Sequence, residues 1–401
     1  MRPEKKRFKN FWRRSGRALT WQLLESHEVN EGQLERKGRS WYRKAPSQGH
    51  YQTLYGPVTV RPHTYQRSDG GQTFCPLEEA CQMGFGTSTP LLAKVLAVKL
   101  SALTPREVRP DLETAHRLSL SASFIEQTAR RVGEIVVTKA RCWRLESPEP
   151  GRRVATIATV VDGRTMPLGG CDHKEAMCRT IALSDNAGER LSTEYLGAMP
   201  EAGKESFRRL LTSRVAAIKA EHPRALHVCL ADGAAWNWQL LESPYPGAIW
   251  ILDFYHAAQH LGQAAEAIFG TPPTAAKSAW YEDLYLTLRD QPDGVAQLIR
   301  RLIYTRNRER LSKAAARALE TEINSFRNHA EKMQYADHVT AGLPIGSSVT
   351  EAGCKELIKA RFSRSGMRWK RDTGATILHL RAVRLSDQSE SFWQKVIRYV
   401  A

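Results

Sequence analysis

The amino-acid sequence predicts an α/β fold, in which a β-hairpin and helices precede a sheet-containing core. Three short apolar runs, at 154–161, 226–231 and 248–252, have the composition of buried strands, and an aspartate follows each directly. The stretches 88–140 and 275–335 carry apolar residues at helical spacing and no strand signal. The 401 residues allow two or three domains, each with its own core.

Composition excludes several classes of protein. A hydrophobic fraction of 42% is typical of globular chains and excludes a wholly disordered one. No stretch approaches the ~18 apolar residues of a membrane span, and the basic start lacks the apolar run of a secretory signal. Seven cysteines, an odd number, argue against a disulfide framework. We expect a protein of a reducing cytoplasm without a membrane partner.

The net charge predicts a polyanionic partner. Lys and Arg number 59 against 42 Asp and Glu, which gives +17. The excess is concentrated in the first 17 residues and again at 355–371, with aromatic residues interleaved. Phosphate backbones attract such clusters, whereas a single basic run is more often a solvated surface. Two clusters favour nucleic acid. The basic side chains expected at DNA are Arg7, Arg13, Arg14, Lys355, Lys359, Arg361, Arg364, Arg368 and Lys370.

The N-terminal part predicts three segments. Residues 1–50 are expected to form a basic arm followed by polar loop. Residues 51–86 predict a β-hairpin subdomain, because Val58 and Val60 alternate with polar residues and the sequence Ser-Asp-Gly-Gly at 68–71 indicates a tight turn.

Residues 87–145 predict three helices joined by short turns. Thr104 and Pro105 are typical of an N-cap and a first helical position. In a basic chain this pattern is compatible with a DNA-binding domain of the helix-turn-helix type. Any small helical subdomain has the same pattern, so the DNA-binding interpretation depends on the charge.

A linker rich in Pro and Glu ends at Gly151, and the core follows it. We expect residues 152–270 to form its first part, 271–341 a helical insertion, and 342–401 its second part with a basic C-terminal tail. Shorter elements predicted within these parts are a partner strand at 177–183 and helices at 254–269 and 348–362.

Asp162, Asp232 and Asp253 each follow an apolar run directly. Carboxylates at the carboxyl ends of buried strands lie at the rim of an α/β sheet, where ligands bind. A single Asp-Gly pair after a strand usually makes a turn. Three strand-end aspartates in a basic chain favour a site for Mg²⁺ or Mn²⁺, which prefer carboxylate, water and phosphate oxygens.

Glu351 is the candidate for a further ligand. The preceding Ser347 and Ser348 are possible N-caps, which would put Glu351 in the first turn of a helix. Acidic residues are common there because they complement the helix dipole. The basic residues that follow suggest phosphates beside the site. Two ions about 4 Å apart would activate a water or 3′-hydroxyl and stabilise the leaving oxygen.

Several segments resemble the bacterial insertion-sequence transposases of the ISKra type, relatives of the Mutator-like group. The resemblance covers roughly residues 50–385. The segments that carry it are 230–238 (LADGAAWNW), 251–257 (ILDFYHA), 343–354 (LPIGSSVTEAGC), 361–369 (RFSRSGMRW), and upstream 55–61 (YGPVTVR), 69–71 (DGG) and 76–78 (PLE). It implies an RNase H-like core, a mixed sheet flanked by helices, with a DDE triad.

The resemblance also implies residue roles. Asp162 is the first acid, Asp232 the second and Glu351 the last, separated by 70 and 119 residues. Together they would hold two Mg²⁺ (or Mn²⁺) ions. Asp253 and His256 match an Asp-x-x-His motif and are expected to support the site or to grip substrate, although a core-packed histidine remains open.

Trp236 and Trp238 are expected to contact DNA near the cleaved end or to fill the core. The family usually has a Gly-Ser-Gly run where this chain has Ser347 and Ser348.

The resemblance implies an enzyme that binds terminal inverted repeats through residues 1–140, cleaves double-stranded DNA at the transposon ends and joins it to target DNA. It would act as a homodimer or larger assembly in the bacterial cytoplasm, on the nucleoid when bound. Two alternatives stay open, namely a domesticated DNA-binding protein and an RNase H-like nuclease without strand transfer. The pairs Cys171–His173–Cys178 and Cys75–Cys81 lack the spacing of a zinc finger.

Overall fold

The computed structural model describes residues 3–139, 152–169, 173–234, 237–239, 244–346, 352–353, 355–387 and 389–400, and of residues 3–10 and 164 it describes the backbone alone. The chain divides into two compact units. The N-terminal unit comprises Met1–Trp143, Trp369–Arg384 and Ser389–Ala401, and the sheet unit comprises Arg144–Arg368 and Leu385–Gln388. Residues 369–384 and 389–401 therefore belong with the N-terminal helices, which differs from the expected core segment 342–401.

The N-terminal unit combines short strands with helices. Its strands are β1 (Gln33–Arg36), β2 (Arg39–Arg43), β3 (Gly49–Thr53), β4 (Gly56–Val60), β5 (Tyr65–Arg67) and β6 (Gly70–Phe74). Its helices are α1 (Pro3–Ser26), α2 (Pro76–Ala80), α3 (Pro90–Ala102), α4 (Pro105–His116), α5 (Ala122–Lys139), α13 (Arg371–Leu385) and α14 (Ser389–Tyr399).

The strands form two sheets rather than the single hairpin predicted at 51–86. β3 pairs with β4, whereas β1, β2, β5 and β6 form a separate antiparallel sheet. The tight turn is present, because β5 and β6 pair across it, with Tyr65 opposite Phe74. Val58 and Val60 face inward as the alternation predicts, at 4% and 2% exposure. They pack with Leu24 of α1, so the basic arm is a helix anchored on this small core.

The three predicted helices of 87–145 are confirmed over the part the structure describes. Thr104 and Glu107 form a capping box at the start of α4, and Pro105 occupies its first turn. Ser121 accepts a hydrogen bond from the backbone N–H of Phe124 and so caps α5. Gly133 of α5 lies against Thr376 of α13, where an added Cβ would come within 2.3 Å of a methyl carbon.

The sheet unit is a mixed α/β structure. Its strands are β7 (Thr156–Pro167), β8 (His173–Ser184), β9 (Arg190–Ala198), β10 (Leu226–Ala231) and β11 (Ile249–Leu252). Its helices are α6 (Glu205–Glu221), α7 (Phe254–Phe269), α8 (Ala275–Asp290), α9 (Gly294–Arg308), α10 (Lys313–His329), α11 (Tyr335–Thr340) and α12 (Ala360–Phe362), with a π-helical turn at Lys355–Lys359. Among the described helices of the whole chain, none has both the length and the apolar character that crossing a bilayer requires.

The five strands lie in the order β11-β10-β7-β8-β9. β7, β8 and β9 form an antiparallel meander. β10 and β11 then add in parallel on the other side of β7. The predicted strands are present as β7, β8, β10 and β11, whereas β9 was not predicted from the sequence. A buried ion pair holds α6 on the sheet. It joins Arg214 on α6 to Glu194 on β9, whose side chains are 2% and 3% exposed.

The predicted insertion is helical throughout, as expected for 275–335, and consists of α8 to α11. α10 packs on α7, and α7 also packs on α8. The insertion therefore lies beside the helix that directly follows β11.

Candidate active site

The strand register brings the three predicted aspartates to one level of the sheet. Leu230 pairs with Val160 across β10 and β7. Ala231 pairs with Leu252 across β10 and β11. Continuing these registers sets Asp232 level with Asp162 on one side and with Asp253 on the other. Adjacent strands are about 4.8 Å apart, and residues level with one another in parallel strands face the same side. We call these three residues the aspartate row.

Asp162 does not end its strand, so the strand end predicted at Val161 is wrong. β7 continues to Pro167 and pairs with β8 to the end. Gly163 allows the carboxylate of Glu175 on β8 to lie close to the β7 backbone, since a Cβ there would be 2.1 Å from that carboxylate and would displace it. β10 and β11 stop at Ala231 and Leu252, so Asp162 still lies at the rim that these shorter strands leave open.

Asp232 is held by two hydrogen bonds. Its Oδ1 accepts from the backbone N–H of Ala234 at 3.1 Å and from Nδ2 of Asn237. Asn237 is fully buried. Asn237 was not predicted from the sequence, although an amide five residues after a strand-end aspartate is the available signal.

Asp253 begins helix α7. Its Oδ1 accepts from the backbone N–H of His256 at 2.9 Å, which makes Asp253 the N-cap. It is 4% exposed, so this carboxylate is less open than the other two. The next residue, Phe254, donates its N–H to the carbonyl of Ile345 at 2.9 Å, which fixes the segment leading towards Glu351 beside the row.

His256 lies against the aspartate row. A Cβ on Gly233 would be 3.1 Å from its Nε2, so Gly233 allows the ring to approach the backbone closely. Burial lowers the pKa of His256, the neighbouring His260 lowers it further, and Asp232 and Asp253 oppose the shift. His260 in turn contacts Glu322 of α10, and neither residue was predicted from the sequence.

Glu351 lies outside the described residues, as do Ser347, Ser348 and Trp236. The described residues on either side pack within the sheet unit. Gly346 approaches the ring of Tyr255, where a Cβ would come within 2.7 Å, and Gly353 approaches Tyr195 of β9, where the distance would be 2.2 Å. Lys355–Lys359 packs against β7 and β8. Over its described part, the predicted helix 348–362 is a π-helical turn followed by α12.

The predicted DNA-binding residues of the sheet unit divide by burial. Lys355, Lys359 and Arg368 are exposed and Arg364 is half-buried. Arg361 is 3% exposed and donates to the sulfur of Met367, so in this conformation it does not face solvent.

Trp238 fills the core. It is 6% exposed, packs edge-on against Trp250 at 6.3 Å, and has the ammonium of Lys332 4.7 Å from its ring centre. Of the two interpretations that the sequence left open for this tryptophan, the structure favours packing.

In the N-terminal unit, Arg14 and Lys370 are exposed. Arg13 is half-buried, and its Nε donates to the carbonyl of Tyr55 at 3.1 Å. The side chain of Arg7 is outside the described part. Arg14 and Lys370 are therefore open to phosphates, while Arg13 also fixes α1 on the β3–β4 sheet.

Within the described residues, no three His, Cys, Asp or Glu side chains are already gathered to hold a metal ion. The carboxylates of Asp162 and Asp232 are donors of the type that Mg²⁺ prefers. Comparison with models of protein families gives no match for this chain, and comparison with curated proteins gives none.

Proposed function

We propose that this protein is a DDE transposase, which cleaves DNA at transposon ends and joins the 3′ ends to target DNA. The aspartate row carries the proposal, because three carboxylates from three adjacent strands share one rim of the sheet. Carboxylates repel one another unless a cation lies between them. A basic chain with an acidic site suits a phosphodiester substrate and divalent cations.

An RNase H-like core is part of this proposal. The five-stranded mixed sheet, with α6 after β9 and α7 after β11, supports it. The helical insertion between β11 and the Glu351 segment agrees with the long interval between the second and last acids.

Asp162 and Asp232 would hold Mg²⁺ or Mn²⁺ together with Glu351. The bound ions would supply charge stabilisation of the attacking and leaving oxygens in phosphodiester transfer. Asn237 and the N–H of Ala234 orient Asp232 by holding its Oδ1. His256 lies beside Gly233 and close to Asp232, where it would contact substrate or support the site.

DNA binding would rest on the exposed basic residues. α1 presents Arg14, and the segment after Glu351 presents Lys355 and Lys359. We expect the replacement of Arg7, Arg13 and Arg14 by Gln to weaken binding and to reduce the salt slope by about 0.9 for each phosphate that the arm no longer neutralises. An unchanged slope in a filter-binding titration would remove the arm from the interface.

The experiment for the function begins with a duplex selected from random sequence by repeated binding to the protein. Labelled selected duplex is incubated with a supercoiled plasmid and Mg²⁺ or Mn²⁺. We expect label to be joined to the plasmid. Asp162→Ala and Asp232→Ala should abolish cleavage and joining while leaving duplex binding within about two-fold.

Asp185→Ala is the matched control. Asp185 lies in the β8–β9 turn, beyond Ser184, which pairs with Thr156 at the other end of β7. Its carboxylate is paired with Arg152 and is remote from the row along the strand, so joining should persist. Nicks without joined product would indicate a nuclease and refute strand transfer. Binding without nicks would indicate a DNA-binding protein and refute enzymatic activity.

A further inference from the structure

The contact between helices α7 and α10 contains a histidine cluster that a DDE site does not require. His256 and His260 are one turn apart on α7, and His329 is the last residue of α10. We propose that His256, His260 and His329 bind a late first-row divalent cation such as Zn²⁺. This site adjoins the carboxylate site, because His256 interacts with Asp232 and Asp253. Its ligands are imidazole nitrogens rather than carboxylates, and it does not depend on the proposed function.

The spacing of the first two ligands supports the proposal. Nε2 of His256 and Nε2 of His260 are 3.2 Å apart. Zinc–imidazole bonds are 2.0–2.1 Å long in tetrahedral sites, which places two ligand nitrogens about 3.3 Å apart. Helical residues at i and i+4 lie on one face, so α7 presents both rings to the same cation.

Two rings carry the outer hydrogen bonds typical of metal-binding histidines. Nδ1 of His260 is 2.6 Å from Oε2 of Glu322. Nδ1 of His329 is 2.9 Å from the carbonyl of Ser325. A carboxylate or carbonyl at Nδ1 holds the proton there and leaves Nε2 as the donor atom. Imidazole nitrogen selects Zn²⁺, Co²⁺, Ni²⁺ or Cu²⁺ over Mg²⁺.

His329 supplies the third position. Its Cε1 and the Nε2 of His256 both lie within 4 Å of the point where a Cβ on Gly233 would be. The described side chains do not place three donors at coordination distance. The proposal therefore requires the His329 ring to move towards the His256–His260 pair when the cation binds. The cation would link helix α10 of the insertion to helix α7, which Asp253 caps. Without a cation, the same geometry is a single N–H···N hydrogen bond between His256 and His260.

Metal titration of the full chain distinguishes the metal-bound histidine cluster from the metal-free one, in which His256 and His260 share a hydrogen bond. Protein stripped with a chelator is titrated with Co²⁺ alone, and its visible absorption is recorded before Zn²⁺ is added in competition. We expect the intense absorption of a tetrahedral site at one Co²⁺ per chain, displaced by Zn²⁺. His260→Ala and His329→Ala should remove it, and Glu322→Gln should weaken Co²⁺ binding by about 10–100-fold.

Two controls keep the test specific. His222→Ala removes a histidine at the end of α6 and should leave the absorption unchanged, as should Asp162→Ala, which disrupts the carboxylate site. Circular dichroism of each variant checks that the helices are retained. Absence of tetrahedral Co²⁺ absorption in the wild-type chain would overturn the proposal. So would unchanged absorption in both His260→Ala and His329→Ala, whatever the transposase assay shows.

Discussion

Asp232→Asn is expected to stabilise the metal-free protein while removing its response to Mg²⁺. Asp232 is the middle member of the aspartate row, with Asp162 and Asp253 one strand away on either side. The substitution removes the negative charge but keeps an oxygen that accepts from Ala234 and Asn237. It therefore changes electrostatic repulsion more than packing.

The magnitude follows from the spacing of the strands. Two unit charges about 6 Å apart repel by about 3 kcal/mol at an effective dielectric constant near 20. Solvent contact at a sheet rim reduces this to about 1 kcal/mol for each neighbour. The two hydrogen bonds that Asp232 accepts become weaker when their acceptor is neutral, which lowers the free energy of unfolding by about 1 kcal/mol. The net gain is about 1 kcal/mol, or roughly 2 °C in the unfolding temperature.

Calorimetric unfolding in chelator and in excess Mg²⁺ measures both effects. Mg²⁺ at about ten times its Kd should stabilise the wild-type chain by about 1.4 kcal/mol, and Asp232→Asn should lose this gain. The control is Asp290→Asn, whose carboxylate is paired with Arg289 on the surface. The control should respond to Mg²⁺ like the wild type. If Asp232→Asn is destabilised in chelator and still responds fully to Mg²⁺, the row does not bind the cation.

Three further predictions concern stability and the site. Burial lowers the pKa of His227 to about 3, so its stabilising contribution is full above pH 6.5 and is lost as the pH falls towards 3. Over that range the free energy of unfolding should change by at most about 1.4 kcal/mol per pH unit. His227→Gln should reduce this dependence of the denaturant midpoint on pH. Glu194→Ala removes the carboxylate that pairs with the buried Arg214 and should cost about 3–5 kcal/mol in urea unfolding, whereas the double replacement Glu194→Gln with Arg214→Met should recover most of it; equal losses would show that the charge is not the cause. Gly353→Ala places a Cβ against Tyr195 and should reduce strand transfer while costing about 1–3 kcal/mol of stability, with activity restored by Tyr195→Ala; failure of this rescue would exclude the contact as the cause.

The elements that local pattern determines were predictable. Strand β10 and helix α7 begin and end where the sequence predicted, at Leu226–Ala231 and Phe254–Phe269. The strand is a continuous apolar run, and a helical apolar stripe follows a capping aspartate. In both cases the information lies within about ten residues of chain.

Strand β9 was missed because its burial depends on a distant partner. Glu194 lies in the middle of the strand, and a buried carboxylate makes the local sequence look solvent-exposed. Arg214, 20 residues later, pairs with it in the interior. Only the tertiary packing of α6 on β9 turns this polar segment into core.

Strands β1 and β2 were missed for a related reason. β1 alternates exposed and half-buried residues, whereas β2 is half-buried only at Ser40 and Trp41, and both are rich in charge. Trp41 of β2 packs edge-on against Phe74 at 4.8 Å, and the guanidinium of Arg36 lies 4.4 Å from the centre of the Phe74 ring. An arginine stacked on an aromatic ring stabilises a strand that its own composition identifies as loop.

The register of the sheet places the three aspartates level with one another, which their sequence positions alone do not reveal. β10 is offset from β7 by 70 residues, from Thr156 opposite Leu226 onward, and 70 is also the separation of Asp162 from Asp232. β11 is offset from β10 by 21 residues, which is the separation of Asp232 from Asp253. A slip of one residue at either boundary would move a carboxylate to the other face of the sheet. The same register that aligns the apolar residues of three strands therefore aligns their acids, so a cation at this rim would also oppose slippage of β10 and β11.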